Sequence, residues 1–134
     1  MKKLLIIEND ADTIDVVSII LESYNNYEVV KSEKILPLEQ IAEIKPNVIV
    51  LDQMLGDGLG SDLCFKIKEY TPTKHIPVII MSASLNVEKV VQDCRADAFI
   101  AKPFDLDDFV NLIDTLAIQN KNPDSTNQSG SDVN

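Results

Sequence analysis

The chain has 134 residues, 45% of them hydrophobic, which is enough to bury one core of ordinary size. Its 22 acidic and 12 basic residues give a formal net charge of -10, which repels nucleic-acid phosphates and anionic membrane surfaces. We therefore expect no direct binding to nucleic acid or to membranes. No apolar run approaches the ~20 residues of a membrane span, and acids from Glu8 onward interrupt the apolar start, so we expect a cytoplasmic protein without a signal peptide.

The first part of the chain alternates strands with helices. Residues 4–7 are wholly apolar and are followed by acids, which predicts a buried strand and then a helix cap. Residues 12–24 place apolar side chains at spacings of three and four, which predicts an amphipathic helix. Its predicted inner face consists of Ile14, Val17, Leu21 and Tyr24. A brief strand over 27–31 and a short helix over 38–44 follow.

The remainder repeats this alternation. An apolar strand over 47–52 ends in Asp52, and the loop after it contains three glycines that we interpret as turn glycines. The remaining predicted elements are a helix over 61–70, a strand over 77–81, a helix over 87–94, a strand over 98–101 and a last helix capped by Asp105. The predicted inner face of the last helix is Leu106, Phe109, Val110, Ile113 and Leu116.

Five strand–helix units with short connections predict one α/β domain with a doubly wound parallel sheet. For five strands we expect the flavodoxin-like order 2-1-3-4-5, with helices on both faces. The predicted domain covers residues 1–118. Residues 119–134 are polar, and we expect a disordered tail that is too short for an output domain. We expect Cys64 and Cys94 to be buried, reduced thiols.

Polar residues at the ends of four predicted strands converge on one edge of this sheet. They are Glu8 and Asn9 after the first strand, Asp52 after the third, Ser82 after the fourth and Lys102 after the fifth. A carboxylate can attack phosphorus, oxygen ligands can hold a hard cation, and a lysine and a hydroxyl can bind phosphoryl oxygens. The joint placement therefore predicts a phosphoryl-transfer site.

Residues 2–118 resemble a receiver domain of the two-component response regulators. The resemblance is carried by motifs at the strand ends rather than by overall composition. The matching stretches are Leu5-Ile6-Ile7-Glu8-Asn9-Asp10, Val48-Ile49-Val50-Leu51-Asp52, Met54-Leu55 with Gly60, Pro77-Val78-Ile79-Ile80-Met81-Ser82-Ala83 and Ala96-Asp97-Ala98-Phe99-Ile100-Ala101-Lys102-Pro103-Phe104.

The resemblance implies a phospho-acceptor and a metal site. Asp52 would accept a phosphoryl group from a phosphohistidine on a sensor histidine kinase or a histidine phosphotransfer protein. Mg²⁺ would be held by Glu8, Asn9, Asp52 and the backbone carbonyl of Met54. Such a domain signals and is not an enzyme beyond self-catalysed phosphotransfer and autodephosphorylation.

The resemblance also implies a switch. Lys102 would pair with the phosphoryl oxygens, and the Lys102–Pro103 peptide would be cis. Ser82 would hydrogen-bond the phosphoryl group while Phe99 swings inward, although an aromatic residue in a strand can equally be a core residue. The change would be read by a downstream protein, or by a second copy of the chain, on the face formed by the fourth predicted helix, the fifth strand and the last helix.

Two positions depart from the usual receiver pattern. Asn9 stands where the family commonly has an aspartate that binds the metal, so we expect weaker Mg²⁺ binding and slower phosphotransfer. Asp10 could restore part of the lost negative field, but we expect its backbone position to aim its side chain elsewhere. Gly56 stands where a proline is frequent, which should loosen the loop without removing a ligand.

Two other functions stay open from the sequence. A degenerate receiver with the same fold would bind partners constitutively because Asn9 disables the metal site. A phosphatase of the haloacid dehalogenase type would need an Asp-x-Asp motif, and Met54 occupies the position of its second aspartate.

Overall fold

A computed structural model describes residues 1–83 and 93–119 of the chain. The helices are α1 Ala11–Tyr24, α2 Leu38–Ile44, α3 Gly60–Glu69 and α4 Leu106–Gln119. The strands are β1 Lys2–Ile7, β2 Tyr27–Ser32, β3 Val48–Asp52, β4 Met54–Leu55, β5 Gly58–Leu59, β6 Val78–Ser82 and β7 Ala98–Ala101. Of the predicted fourth helix over 87–94, all but positions 93 and 94 lies outside the described residues, as does the predicted tail from position 120 onward.

The five long strands form one parallel sheet in the order β2-β1-β3-β6-β7. This is the predicted doubly wound order, and it is confirmed. The two short strands β4 and β5 form an antiparallel hairpin in the segment predicted to be an irregular loop. The prediction missed this hairpin because four residues in two strands are too short for a periodic signal.

The three central strands are buried on both faces, as their apolar sequences predict. Because successive side chains point to opposite faces, each strand serves two cores. Leu5, Ile49 and Ile80 pack in the core beneath α2 and α3, and Leu4 and Val50 pack in the core beneath α1 and α4. The sheet is therefore covered on both sides and its strand ends are held rigidly.

Capping residues fix the starts of two helices. Asp10 accepts the backbone N–H of Asp12 through Oδ1 and the hydroxyl of Thr13 through Oδ2, so it is the N-cap of α1. These hydrogen bonds, that to Thr13 foremost, lower the pKa of Asp10. The carboxylate of Asp105 accepts the N–H of Asp108 at 3.1 Å, which confirms the predicted cap of the last helix.

The predicted inner faces hold with one exception. Phe109 and Ile113 are fully buried, as expected. Tyr24 was predicted on the inner face of the first helix but is 81% exposed. The prediction was wrong because all of residues 22–24 are exposed, so the buried stripe ends one turn before α1 does.

Cys64 and Cys94 lie together in the core as thiols, as expected. The Sγ of Cys64 donates to the carbonyl oxygen of Cys94 at 3.5 Å, which joins α3 to the segment before β7. Burial raises the pKa of Cys64, so its neutral thiol form is favoured. Within 1–83 and 93–119, none of the helices has the length and apolar character needed to cross a bilayer.

Candidate phosphoryl-transfer site

Three charged side chains meet at the carboxyl edge of the sheet. Glu8 directly follows β1, Asp52 is the last residue of β3, and Lys102 directly follows β7. The ammonium nitrogen of Lys102 lies 2.7 Å from Oε1 of Glu8 and 3.0 Å from Oδ1 of Asp52. The structure thus brings together three of the residues that the sequence placed at the ends of separate strands.

Glu8 is fully buried, and its charge is compensated from two directions. Oε1 accepts from Lys102, and Oε2 accepts the backbone N–H of Asp10 at 3.0 Å. The backbone N–H of Glu8 donates to the carbonyl of Ser32 at 3.0 Å and continues the pairing of β1 with β2. A buried carboxylate is costly unless it is paired, so this residue is fixed in place by its partners.

Lys102 is anchored by its backbone as well as by its ammonium group. Its N–H donates to the carbonyl of Ser82 at 2.9 Å, and its peptide bond to Pro103 is cis, the geometry that the resemblance implied. Partial burial alone would lower the pKa of Lys102, but the hydrogen bonds to Glu8 and Asp52 outweigh it and raise the pKa. The lysine therefore stays charged at neutral pH.

The charges of these three residues do not cancel. Two carboxylates share one ammonium group, so the cluster keeps a formal charge of -1 with Asp52 only 7% exposed. Excess negative charge at a mostly buried carboxylate favours the binding of a cation or the approach of an electrophilic atom. The site is therefore suited to receiving a metal cation or an electrophilic phosphorus atom.

The oxygen donors around this cluster fit a hard cation. Asn9 is exposed at the rim, beside Glu8. Met54 pairs with Leu59 in the hairpin, and the N–H of Gly60 donates to the carbonyl of Gln53 just outside that pair. In an antiparallel ladder this makes Met54–Leu59 a non-hydrogen-bonded pair, so the carbonyl of Met54 points away from Leu59.

Carboxylate, amide and carbonyl oxygens are the donors that Mg²⁺ prefers. Among the described residues, no group of three or more His, Cys, Asp or Glu side chains could hold a metal ion, so neutral oxygens would have to complete the set. Asp10, the remaining nearby acid, is used as the cap of α1 and its side chain is directed there. The carboxylate of Asp10 is therefore aimed at the start of α1, as its backbone position predicts.

Ser82 and Phe99 lie on the neighbouring strands. Ser82 ends β6, is 2% exposed and stands in register with Ala101, next to Lys102. Phe99 on β7 is half-buried and packs against the core beneath α3. The roles of Ser82 as a ligand of the phosphoryl group and of Phe99 as a switch residue stay predictions.

Two contacts at the site were not predicted from the sequence. Gly60 was interpreted as a turn glycine, but it begins α3, and a Cβ there would lie 2.3 Å from the carbonyl oxygen of Asp52. It is required because the helix start packs directly on the acceptor strand. Gln53, buried and bonded to Ser61, gave no signal in the sequence because its partner is eight residues away.

Comparison with known proteins assigns this arrangement to a family. The profile described as "Response regulator receiver domain" matches residues 4–114. The chain is 30% identical over 119 residues to the DNA-binding dual master transcriptional regulator RpaA of Synechocystis sp., covering 87% of this chain and 49% of that protein. It is 31% identical over 106 residues to the phosphate regulon transcriptional regulatory protein PhoB of Escherichia coli, covering 77% of this chain and 46% of that protein.

Solved structures agree. A CheY-like response regulator receiver domain protein from Methanospirillum hungatei superimposes with a TM-score of 0.75 at 26% identity, covering 90% of this chain and 97% of that chain. The chain spans about half the length of the curated relatives named above. The strand order, the shared lysine and these matches lead to one conclusion: the chain belongs to the response regulator receiver domain family.

Proposed function

We propose that this receiver domain is phosphorylated on Asp52 by a phosphohistidine donor and signals through a protein partner. The donor is a sensor histidine kinase or a histidine phosphotransfer protein. The observation that carries the proposal is the sharing of Lys102 between Glu8 and Asp52, which leaves a buried carboxylate in a cluster of net negative charge.

The proposed chemistry is a direct phosphoryl transfer. A carboxylate oxygen of Asp52 forms a bond to phosphorus while the P–N bond to the donor imidazole breaks, and the electron pair of that bond stays on the imidazole nitrogen. Lys102, which lies 3.0 Å from Asp52, would pair with the phosphoryl oxygens. Burial and the contact with Lys102 restrict the orientation of the Asp52 carboxylate for this attack.

A magnesium ion is the cofactor that this proposal requires. Glu8, Asn9, Asp52 and the carbonyl of Met54 would hold it, and when bound it neutralises charge on the transferring phosphoryl group. Asn9 contributes an oxygen but no charge, so the proposed affinity is lower than that of a site with a third carboxylate. Glu8 accepts one hydrogen bond on each oxygen, from Lys102 and from a backbone N–H, so the metal would use a remaining lone pair.

The proposed output is a change of surface near β7 and α4. Ser82 would bind the phosphoryl group and Phe99 would move inward, altering the face that a downstream protein or a second copy of the chain contacts. Part of that face, over 84–92, lies outside the described residues. The replacement Ser82→Ala should leave phosphorylation possible and weaken the partner response, so an undiminished response would remove Ser82 from the switch.

Mass spectrometry tests the acceptor directly. After incubation with acetyl phosphate and saturating Mg²⁺, the chain should gain about 80 Da, the mass of one phosphoryl group. Asp52→Ala should abolish the gain. Asp57→Asn is the matched control, because Asp57 lies in the same loop and its carboxylate binds the backbone N–H of Ile35 outside the site. No gain in mass by the unchanged chain would contradict the proposal.

One observation favours a second candidate, a degenerate receiver that binds its partner constitutively. Asn9 supplies no charge, and Lys102 already pairs with both carboxylates without a metal. In that case the partner affinity would be the same for the unchanged chain and for Asp52→Ala, with or without acetyl phosphate. A change in affinity on phosphorylation would exclude the degenerate candidate. The phosphatase alternative finds no support, because Met54 is a 66% exposed thioether without an acidic group.

A further inference from the structure

Gln53, the residue after Asp52, is only 8% exposed and forms hydrogen bonds through both its side chain and its backbone. Its side-chain Oε1 accepts the backbone N–H of Ser61 at 2.8 Å, and its Nε2 donates to the hydroxyl of Ser61 at 2.9 Å. Its backbone N–H donates to the carbonyl of Met81, and its carbonyl accepts from Gly60. We call the contacts of Gln53 with Gly60 and Ser61 the Gln53 clamp.

The Gln53 clamp closes the base of the hairpin that follows the acceptor. The chain leaves the sheet at Gln53, forms β4 and β5, and returns at Gly60. Leu59, the N-cap position of α3, contributes no side-chain cap, so the side chain of Gln53 caps the helix from a different element. The start of α3 is thereby tied to the residue that is covalently bonded to Asp52.

The next carbonyl in the chain belongs to Met54, whose orientation depends on this closure. The bond from Gly60 to Gln53 sets the hairpin register, and that register directs the carbonyl of Met54 away from Leu59. We propose that Gln53 is a positioning residue that aims the Met54 carbonyl at the cation through its bonds to Ser61 and Gly60. This inference rests on the proposed function, because it assumes that the site binds Mg²⁺.

Magnesium titration of variants tests the positioning role. Gln53→Met keeps the length of the side chain and removes both of its hydrogen bonds, so the Kd for Mg²⁺ should rise about tenfold, as for other residues that orient a metal ligand. Ser61→Ala removes only the hydroxyl partner, so the Kd should rise less. The double variant should bind no more weakly than Gln53→Met, because both changes break the same clamp.

Tyr27→Phe is the matched control. It removes a part-buried hydrogen bond, 2.7 Å long, from Tyr27 to Asp114 between β2 and α4. Both Tyr27→Phe and Gln53→Met should lower the urea midpoint, but only Gln53→Met should change the Kd for Mg²⁺. If Gln53 had only a structural role, both variants would lower the urea midpoint and neither would change the Kd for Mg²⁺.

The outcomes separate the two proposals. If the unchanged chain does not bind Mg²⁺, the proposed function fails and the positioning role fails with it. If the unchanged chain binds Mg²⁺ and Gln53→Met binds it with the same Kd, only the positioning role is overturned. If Gln53→Met does not fold, Ser61→Ala decides, since an unaltered Kd in that variant overturns the inference.

Discussion

The two edges of the sheet carry lysine–carboxylate clusters that differ in net charge. At the amino edge, Lys68 pairs with Asp97 at 2.6 Å and also donates to the carbonyl of Ile76, while Asp97 accepts the N–H of Val78. That network has one positive and one negative group. At the carboxyl edge, Lys102 is shared by two carboxylates, Glu8 and Asp52.

The difference shows how one kind of ion pair can serve two purposes. A balanced pair whose remaining hydrogen bonds go to backbone groups holds strand ends together and needs nothing further. An unbalanced cluster is tolerated only because Lys102 and a backbone N–H hold Glu8 in place, and it remains open to a further cation. The functional edge can thus be recognised from the net charge of its side-chain cluster, without reference to a ligand. Substitutions at both edges test this distinction.

The largest expected effect is at the start of α3. Gly60→Ala would place a Cβ 2.3 Å from the carbonyl oxygen of Asp52, so the strand or the helix must shift. We expect a loss of about 3 kcal/mol in the free energy of unfolding, measured by urea denaturation. Gly56→Ala is the control, because a Cβ there meets no described atom within 4 Å. Equal stability of the two variants would show that α3 does not press on the acceptor strand.

The charge comparison itself is tested by removing each lysine. Lys102→Met leaves Glu8 and Asp52 without their shared cation, and we expect a loss of about 2 kcal/mol, reduced from a fully buried pair because the lysine side chain is 25% exposed. Mg²⁺ should restore stability by binding the folded state. Lys68→Met should also destabilise, but Mg²⁺ should not restore it. Rescue of both variants, or of neither, would contradict the distinction between the edges.

An asparagine-to-aspartate substitution at each edge adds one negative charge there. Asn9→Asp should tighten Mg²⁺ binding about tenfold, equivalent to about 1.4 kcal/mol, because a carboxylate replaces an amide beside Glu8. Asn26→Asp makes the same change in an exposed turn before β2 and should leave the Kd unaltered. Titration calorimetry measures both. An unchanged Kd for Asn9→Asp would show that residue 9 is not near the metal.

The smallest expected effect concerns the amino edge alone. Tyr27→Phe removes the bond to Asp114 and should cost about 1 kcal/mol. Burial, and then Asp114, raise the pKa of Tyr27 above its ordinary value of 10.0. Because the unfolded state loses this proton first, the stability advantage of the unchanged chain is complete below pH 10 and should shrink as the pH rises further. Urea midpoints of both proteins from pH 8 to 11 measure this, and a constant difference would contradict it.

The fold could be predicted from the sequence because its central strands are wholly apolar and its connections are short. The convergence of Glu8, Asp52 and Lys102 followed from the rule that parallel strands end at one edge. The sharing of one lysine by both acids could not be predicted, because it depends on side-chain reach across the sheet. The role of Gly60 and the clamp of Gln53 escaped prediction for the same reason. Each depends on a contact with a residue seven or eight positions away, and no periodic pattern encodes such a contact.

The thiol pair beneath α3 has a practical consequence. Cys64 and Cys94 are 0% and 3% exposed, and the neutral thiol that burial favours is a poor nucleophile. An alkylating reagent can therefore modify Cys64 only during moments when α3 separates from the segment before β7. The labelling rate, measured with and without a phosphodonor, would report how often this opening occurs and would require no engineered probe.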